Sequence, residues 1–153
     1  MKPQQILFVC LGNICRSPMA EYVFRHHVRQ AGLGGIISVA SAGTSGWHDG
    51  ENMHKGTQKA LAVHGIDHSG FISSKVKPDD HRRFDFIIAM DDNNLAELER
   101  LFGRQPEKIF KLTDLIPESG YNHIPDPWYT GDFEETFRLV SAGSVALLDK
   151  LAG

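Results

Sequence analysis

A chain of 153 residues, 41% hydrophobic and 23% charged, suits one globular domain over residues 1–153 with a proper buried core. The net charge of -3 is carried without any basic run interleaved with aromatics, which argues against nucleic acid as a partner. No stretch approaches a membrane span, and the apolar run from Ile6 to Leu11 is too short for a signal-peptide core, so a soluble, cytoplasmic protein without a membrane partner is expected.

Gln4 to Cys10 reads as a strand buried on both faces, because Ile6, Leu7, Phe8 and Val9 form an unbroken apolar run. A helix follows, with Ser17 as N-cap, Pro18 at the first helical position, Glu21 at the positive helix end, and Gly32, Gly34 and Gly35 as the stop. Ile36 to Ala40 is a second short strand. The glycine-punctuated loop from Ser41 to Glu51 carries Trp47. Lys55 to His64 is a helix ended by Gly65, and Phe84 to Met90 is a third strand leading into a helix opened by Asp91 and Asp92. Ile109, Phe110 and Leu112 make a fourth strand. Pro117 to Pro127 is loop, and Phe133, Phe137, Val140, Ser144, Leu147, Leu148 and Leu151 mark a terminal amphipathic helix. Strands alternating with helices predict an α/β fold: a four-stranded parallel sheet with helices on both faces, whose sites lie beyond the carboxyl ends of the strands.

The turn after the first strand lies at that edge. In VCLGNICRSP, Gly12 and Asn13 tolerate unusual backbone angles, so the chain can curl and turn its amides inward around an anion. Leu11, Gly12, Asn13, Ile14, Cys15 and Ser17 are therefore the candidate binding residues, and Arg16 adds a planar donor pair matched to phosphate oxygens. A thiol at a helix N-terminus beside an arginine is expected to ionise, which makes Cys10 a candidate nucleophile. In PDPWYTGD, Pro125 and Pro127 stiffen the loop presenting Asp126, a candidate general acid. Trp47, Trp128 and Tyr129 could wall a slot deep enough for a phenyl ring. Both cysteines lie in the opening stretch, so any disulfide between them would be local and redox-responsive. His64 and His68 are spaced i, i+4, but Gly65 breaks the helix between them and no third ligand follows, so no metal is expected. Nor is any cofactor, since no glycine-lysine phosphate loop or dinucleotide fingerprint occurs. Asp91 and Asp92 read as capping and dipole residues.

Four blocks, FVCLGNICRSPMAE, SAGTSGWHDG, MDDNN and PDPWYTGDFEET, resemble the low-molecular-weight protein tyrosine phosphatases over nearly the whole chain. The resemblance implies that Cys10 attacks phosphorus, Arg16 clamps the equatorial oxygens and Asp126 protonates the leaving phenolate, while Asn13, Ser17 and Ser41 brace the loop. It implies a phosphotyrosine-bearing protein as partner; bacterial relatives often act on tyrosine kinases. Many members carry a histidine in a Ser-x-His arrangement that braces the loop, but His68-Ser69-Gly70-Phe71 puts Gly70 near that position. Members acting on phosphoarginine tend to have threonine where Ile14 stands, and related arsenate reductases need cysteines downstream of Cys15, where this chain has none. The alternatives are those two chemistries and, outside enzymes, a phosphotyrosine-binding module, which would need neither Cys10 nor Asp126.

Overall fold

The computed structural model describes residues 1–153. Its centre is a four-stranded, all-parallel sheet in the order β2-β1-β3-β4, formed by β1 (Gln4–Cys10), β2 (Ile37–Gly43), β3 (Phe86–Ala89) and β4 (Ile109–Lys111). Strand β1 is interior to the sheet, which explains its unbroken apolar run: Ile6, Phe8 and Cys10 join one core cluster and Leu7 and Val9 the other.

The helices are α1 (Arg16–Gln30), α2 (Lys55–Val63), a single-turn α3 (Asp80–Arg83), α4 (Asp92–Phe102), a single-turn α5 (Pro127–Thr130) and α6 (Phe133–Ala152). Met19, Val23 and Phe24 of α1, Leu61 of α2 and Leu139, Val140 and Leu147 of α6 cover one face of the sheet; Leu98 of α4 and Phe84 cover the other. No helix is long and apolar enough to cross a membrane.

Several boundaries differ from expectation. Helix α1 starts at Arg16 with Cys15 at the N-cap position and no side-chain cap, so Ser17 lies inside the first turn and its hydroxyl points into the opening turn of the chain. Glu21 is not in the first turn either; it is buried and accepts from Ser41 and Arg25. Strand β2 runs on through Ser41 and Ala42 to Gly43, because these residues pair with Phe8, Val9 and Cys10 of β1; on its other side Gly43 donates to the Ser74 carbonyl at 2.8 Å and accepts from Val76 at 2.8 Å. Leu112 leaves the fourth strand and opens a 3-10 turn over Leu112–Leu115, and Pro117–Ser119 forms another.

Helix α6 crosses Leu112 so closely that a Cβ on Gly143 would lie 2.6 Å from Leu112 Cγ. Gly143→Ala gains about 1 kcal/mol of helix propensity but costs about 1–3 kcal/mol through overpacking at a fully buried neighbour. A lower urea midpoint with an unchanged slope is the expected result.

Candidate active site

All strands run parallel, so their carboxyl ends deliver Cys10, Gly43 and Met90 to one edge of the sheet. The turn from Leu11 to Cys15 curls there before α1 begins. Its polarity is sorted. The carbonyl of Cys10 accepts from Thr44 N (2.9 Å), that of Leu11 from Ser45 N (3.0 Å), that of Ile14 from His54 N (2.8 Å) and that of Cys15 from the Thr57 hydroxyl (3.1 Å). The Asn13 carbonyl accepts from the Ser73 hydroxyl at 2.7 Å. By contrast, none of the amides from Leu11 to Cys15 donates to a protein acceptor. With carbonyls tied outward and N–H groups left open at the start of a helix, the turn is built to hold an anion.

Asn13 sets this shape. It is the one non-glycine residue with a positive φ, 55°, a conformation its short polar side chain tolerates. Fully buried, it donates through Nδ2 to Ser17 Oγ (2.9 Å) and Ser41 Oγ (3.0 Å) and accepts through Oδ1 from Ser74 N (2.9 Å). Ser41 in turn donates to Glu21 at 2.7 Å. The bracing left open at Gly70 is thus supplied by Ser41, Ser73 and Ser74, while Gly70 is exposed in a left-handed turn. Gly12 does not share the unusual φ; it is small because the His48 ring lies 3.2 Å from where its Cβ would stand.

Cys10 Sγ lies 3.0 Å from Ser17 Oγ, buried at the floor of the turn. Arg16 is only 3% exposed, and its guanidinium is held from behind: Nη1 donates to Asp91 Oδ2 at 2.8 Å and to the Ile124 carbonyl at 2.9 Å. Nη2 reaches Asp126 Oδ2 at 3.4 Å. Asp126 is placed by its own loop, since Ile124 is buried and donates to the Met90 carbonyl at 2.8 Å, and Asp126 Oδ1 caps α5 through Trp128 N at 3.0 Å. Cys10 and Arg16 of the opening turn and Asp126, 110 residues beyond Arg16, therefore line one cavity of about 150 Å³. Leu11, Gly12, Ile14 and Cys15 form its lower walls, and Trp47, Trp128 and Tyr129, all exposed, form its rim. Asn13, Ser17 and Ser41 stand behind the turn rather than in the cavity.

Two neighbours of the site escape a reading of the sequence alone. Asp91 caps α4 as expected, accepting from Asn94 N at 2.7 Å, but its second oxygen holds Arg16. The available signal was its place just past β3, the strand beside β1. His48 lines the cavity next to Trp128; nothing in its loop marks it. His64, by contrast, is occupied in bonding Glu134 and stacking on Phe137 at 3.8 Å.

The Cys15 thiol is pushed up to about 12, first by burial and then by the charges of Cys10 and Asp126, with Arg16 opposing. A group held protonated by the fold stabilises it fully below its unfolded value of about 9 and loses that contribution as pH climbs toward 12. Stability should therefore fall with pH above about 9, and Cys15→Ala should flatten that alkaline slope in urea titrations at pH 8 and 10.5.

Comparison with known proteins agrees with this geometry. Residues 5–153 match the family model described as low molecular weight phosphotyrosine protein phosphatase. The low molecular weight protein-tyrosine-phosphatase YfkJ of Bacillus subtilis is 45% identical over 144 residues, covering 94% of this chain and 92% of that protein. Its crystal structure superposes with a TM-score of 0.95 at 42% identity, over 99% of this chain and 96% of that one. The protein tyrosine phosphatase of Entamoeba histolytica gives 0.90 at 34% identity over 97% of each chain, and a Drosophila arginine phosphatase gives 0.88 at 31% over 100% and 99%. The expected fold and the expected resemblance both hold, and the chain belongs to the low molecular weight phosphotyrosine protein phosphatase family.

Proposed function

We propose that the protein hydrolyses phosphotyrosine on proteins through a covalent phosphocysteine. The observation that carries this reading is the turn whose amides from Leu11 to Cys15 donate to no protein acceptor while Cys10 and Arg16 line the same cavity. A phosphate seated there would have its oxygens on backbone N–H groups and on Arg16, whose Nε makes no protein hydrogen bond. The sulfur then faces phosphorus opposite the ester oxygen.

In the first step the Cys10 sulfur donates an electron pair to phosphorus as the ester P–O bond breaks. Asp126 gives its proton to the departing phenolate, which leaves as a phenol. In the second step the Asp126 carboxylate takes a proton from water, the resulting hydroxide attacks phosphorus, and Cys10 leaves as thiolate. Inorganic phosphate is the product and both residues are restored. General acid assistance of this kind is worth about 10²–10⁴ in rate.

The rim favours an aromatic ester. Trp47, Trp128 and Tyr129 line the same cavity as Cys10 and Arg16 and offer ring surface to a phenyl group, which phosphoserine lacks. Ile14, 8% exposed in the cavity wall, offers apolar contact to that ring and no hydrogen bond to a guanidinium, which argues against phosphoarginine. The discriminating experiment is a chelator-treated assay of an aryl phosphate, a phosphotyrosine peptide, a phosphoarginine peptide and arsenate side by side. Hydrolysis of the first two, undiminished by chelator, is expected. Faster turnover of phosphoarginine, or reduction of arsenate, would overturn the assignment. Since bacterial members of the family often oppose tyrosine kinases, a tyrosine-phosphorylated kinase is a substrate to include.

A further inference from the structure

The aromatic cavity does not stand alone. A larger groove of about 450 Å³ opens beside it, and Leu11, Asp126 and Tyr129 wall both. Its far side is the first two turns of α4, with Asn93, Asn94 and Glu97. None of the residues that line it is a lysine or arginine, whereas Asp91, Glu97 and Asp126 all do.

Asn94 is the informative residue. It is only 3% exposed, and its Oδ1 accepts from Met90 N at 3.3 Å, which fixes the amide so that Nδ2 is the free end. That nitrogen donates to no protein acceptor, yet it is not sealed in the core among the unpartnered buried atoms, so it meets the groove that Asn94 lines. Because it reaches the groove, this donor is satisfied by water in the free protein, and an acceptor on a ligand can take that water's place. The carboxylates add a sign. Asp91 is matched by Arg16, and Asp126 enters the reaction carrying its proton, so the charge of the wall is that of Glu97, whose partner Arg100 does not line the groove.

We propose that this groove is a subsite for the polypeptide flanking the phosphotyrosine, in which Asn94 Nδ2 donates to a backbone carbonyl and the acidic wall favours lysine or arginine in that segment over aspartate or glutamate. The occupant follows from continuity: a chain whose phosphotyrosine fills the cavity must leave past the rim, and Tyr129 is the residue common to rim and groove. One residue of extended chain spans about 3.3–3.6 Å, so the immediate neighbours of the phosphotyrosine are the ones that reach α4. The inference rests on the phosphatase reading above.

The test compares kcat/KM for a small aryl phosphate with that for phosphotyrosine peptides carrying basic or acidic flanks. Asn94→Asp keeps an oxygen for Met90 N, removes the donor and adds a negative charge; measured with neutral flanks, it should lower the ratio of peptide to aryl phosphate kcat/KM about tenfold, the effect of one good hydrogen bond. Glu97→Lys, which gives up only a surface pair with Arg100 on α4, should erase or reverse the preference for basic flanks while leaving turnover of the aryl phosphate in place. Peptide and aryl phosphate rates falling by the same factor in Asn94→Asp, or a flank preference unaltered in Glu97→Lys, would overturn the proposal. A wild-type protein inactive on the aryl phosphate would instead defeat the phosphatase reading itself.

Discussion

Replacing Cys10 with serine is expected to reduce turnover of any phosphate ester by at least about 10⁴-fold while leaving anion binding intact. The two effects separate because the parts are separate. On the proposed reading, binding rests on the unpartnered amides of the turn and on Arg16, none of which the substitution touches. In the proposed mechanism the sulfur attacks phosphorus and later leaves it, whereas a serine alkoxide would be both harder to form at neutral pH and harder to expel. A hydroxyl can still bond Ser17 Oγ, now 3.0 Å from the sulfur, so the fold of the turn should survive. Calorimetric titration of the variant with inorganic phosphate, beside rapid-quench labelling of the wild type with a ³²P-labelled substrate, checks both halves. Retained turnover above about a hundredth of wild type, or a wild-type enzyme that carries no label on Cys10 during the reaction, would remove Cys10 from the nucleophile's role.

Asp126→Ala should lose rate in proportion to how badly the leaving group needs a proton. For a phosphotyrosine peptide, whose phenolate is a poor leaving group, the loss should fall in the range of about 10²–10⁴; for a nitrophenyl ester it should shrink several-fold or more. Alanine also removes the cap on α5 and a partner of Arg16, so part of any loss is structural. Asp126→Asn is the companion variant, because its amide oxygen can still cap Trp128 N while no longer supplying a proton. Matching losses in the two variants that grow with leaving-group basicity identify an acid. A loss independent of the leaving group would assign Asp126 to positioning alone.

Much of this was legible because the opening segment is locally consistent. The apolar run of β1 stops where its strand stops, Gly12 and Asn13 follow, and Arg16 comes within one turn of the helix. Such short-range logic leaves its mark in sequence. The same logic misplaced Ser17, which looks like an N-cap by composition but whose hydroxyl is drawn inward by Asn13 and Cys10. It also ended β2 at Ala40, because Ser41, Ala42 and Gly43 lack the apolar character of a strand; they are strand through pairing with Phe8, Val9 and Cys10 of β1, and Gly43 also bridges to Lys75. Asp91 shows the limit most clearly. Its capping role is encoded by its immediate neighbours, while its grip on Arg16 depends on β1 and β3 lying side by side, a fact of tertiary structure with no local trace.

Asn13, held left-handed by serines from three different segments, carries a consequence for ligands of the simplest kind. The work of arranging the amides is done when the chain folds, so none of it remains for the incoming molecule. On the reading proposed, a bare tetrahedral oxyanion, with no side groups through which to remould a flexible loop, meets a receptor whose shape was settled in advance. Its association should accordingly proceed with little loss of backbone motion in the turn.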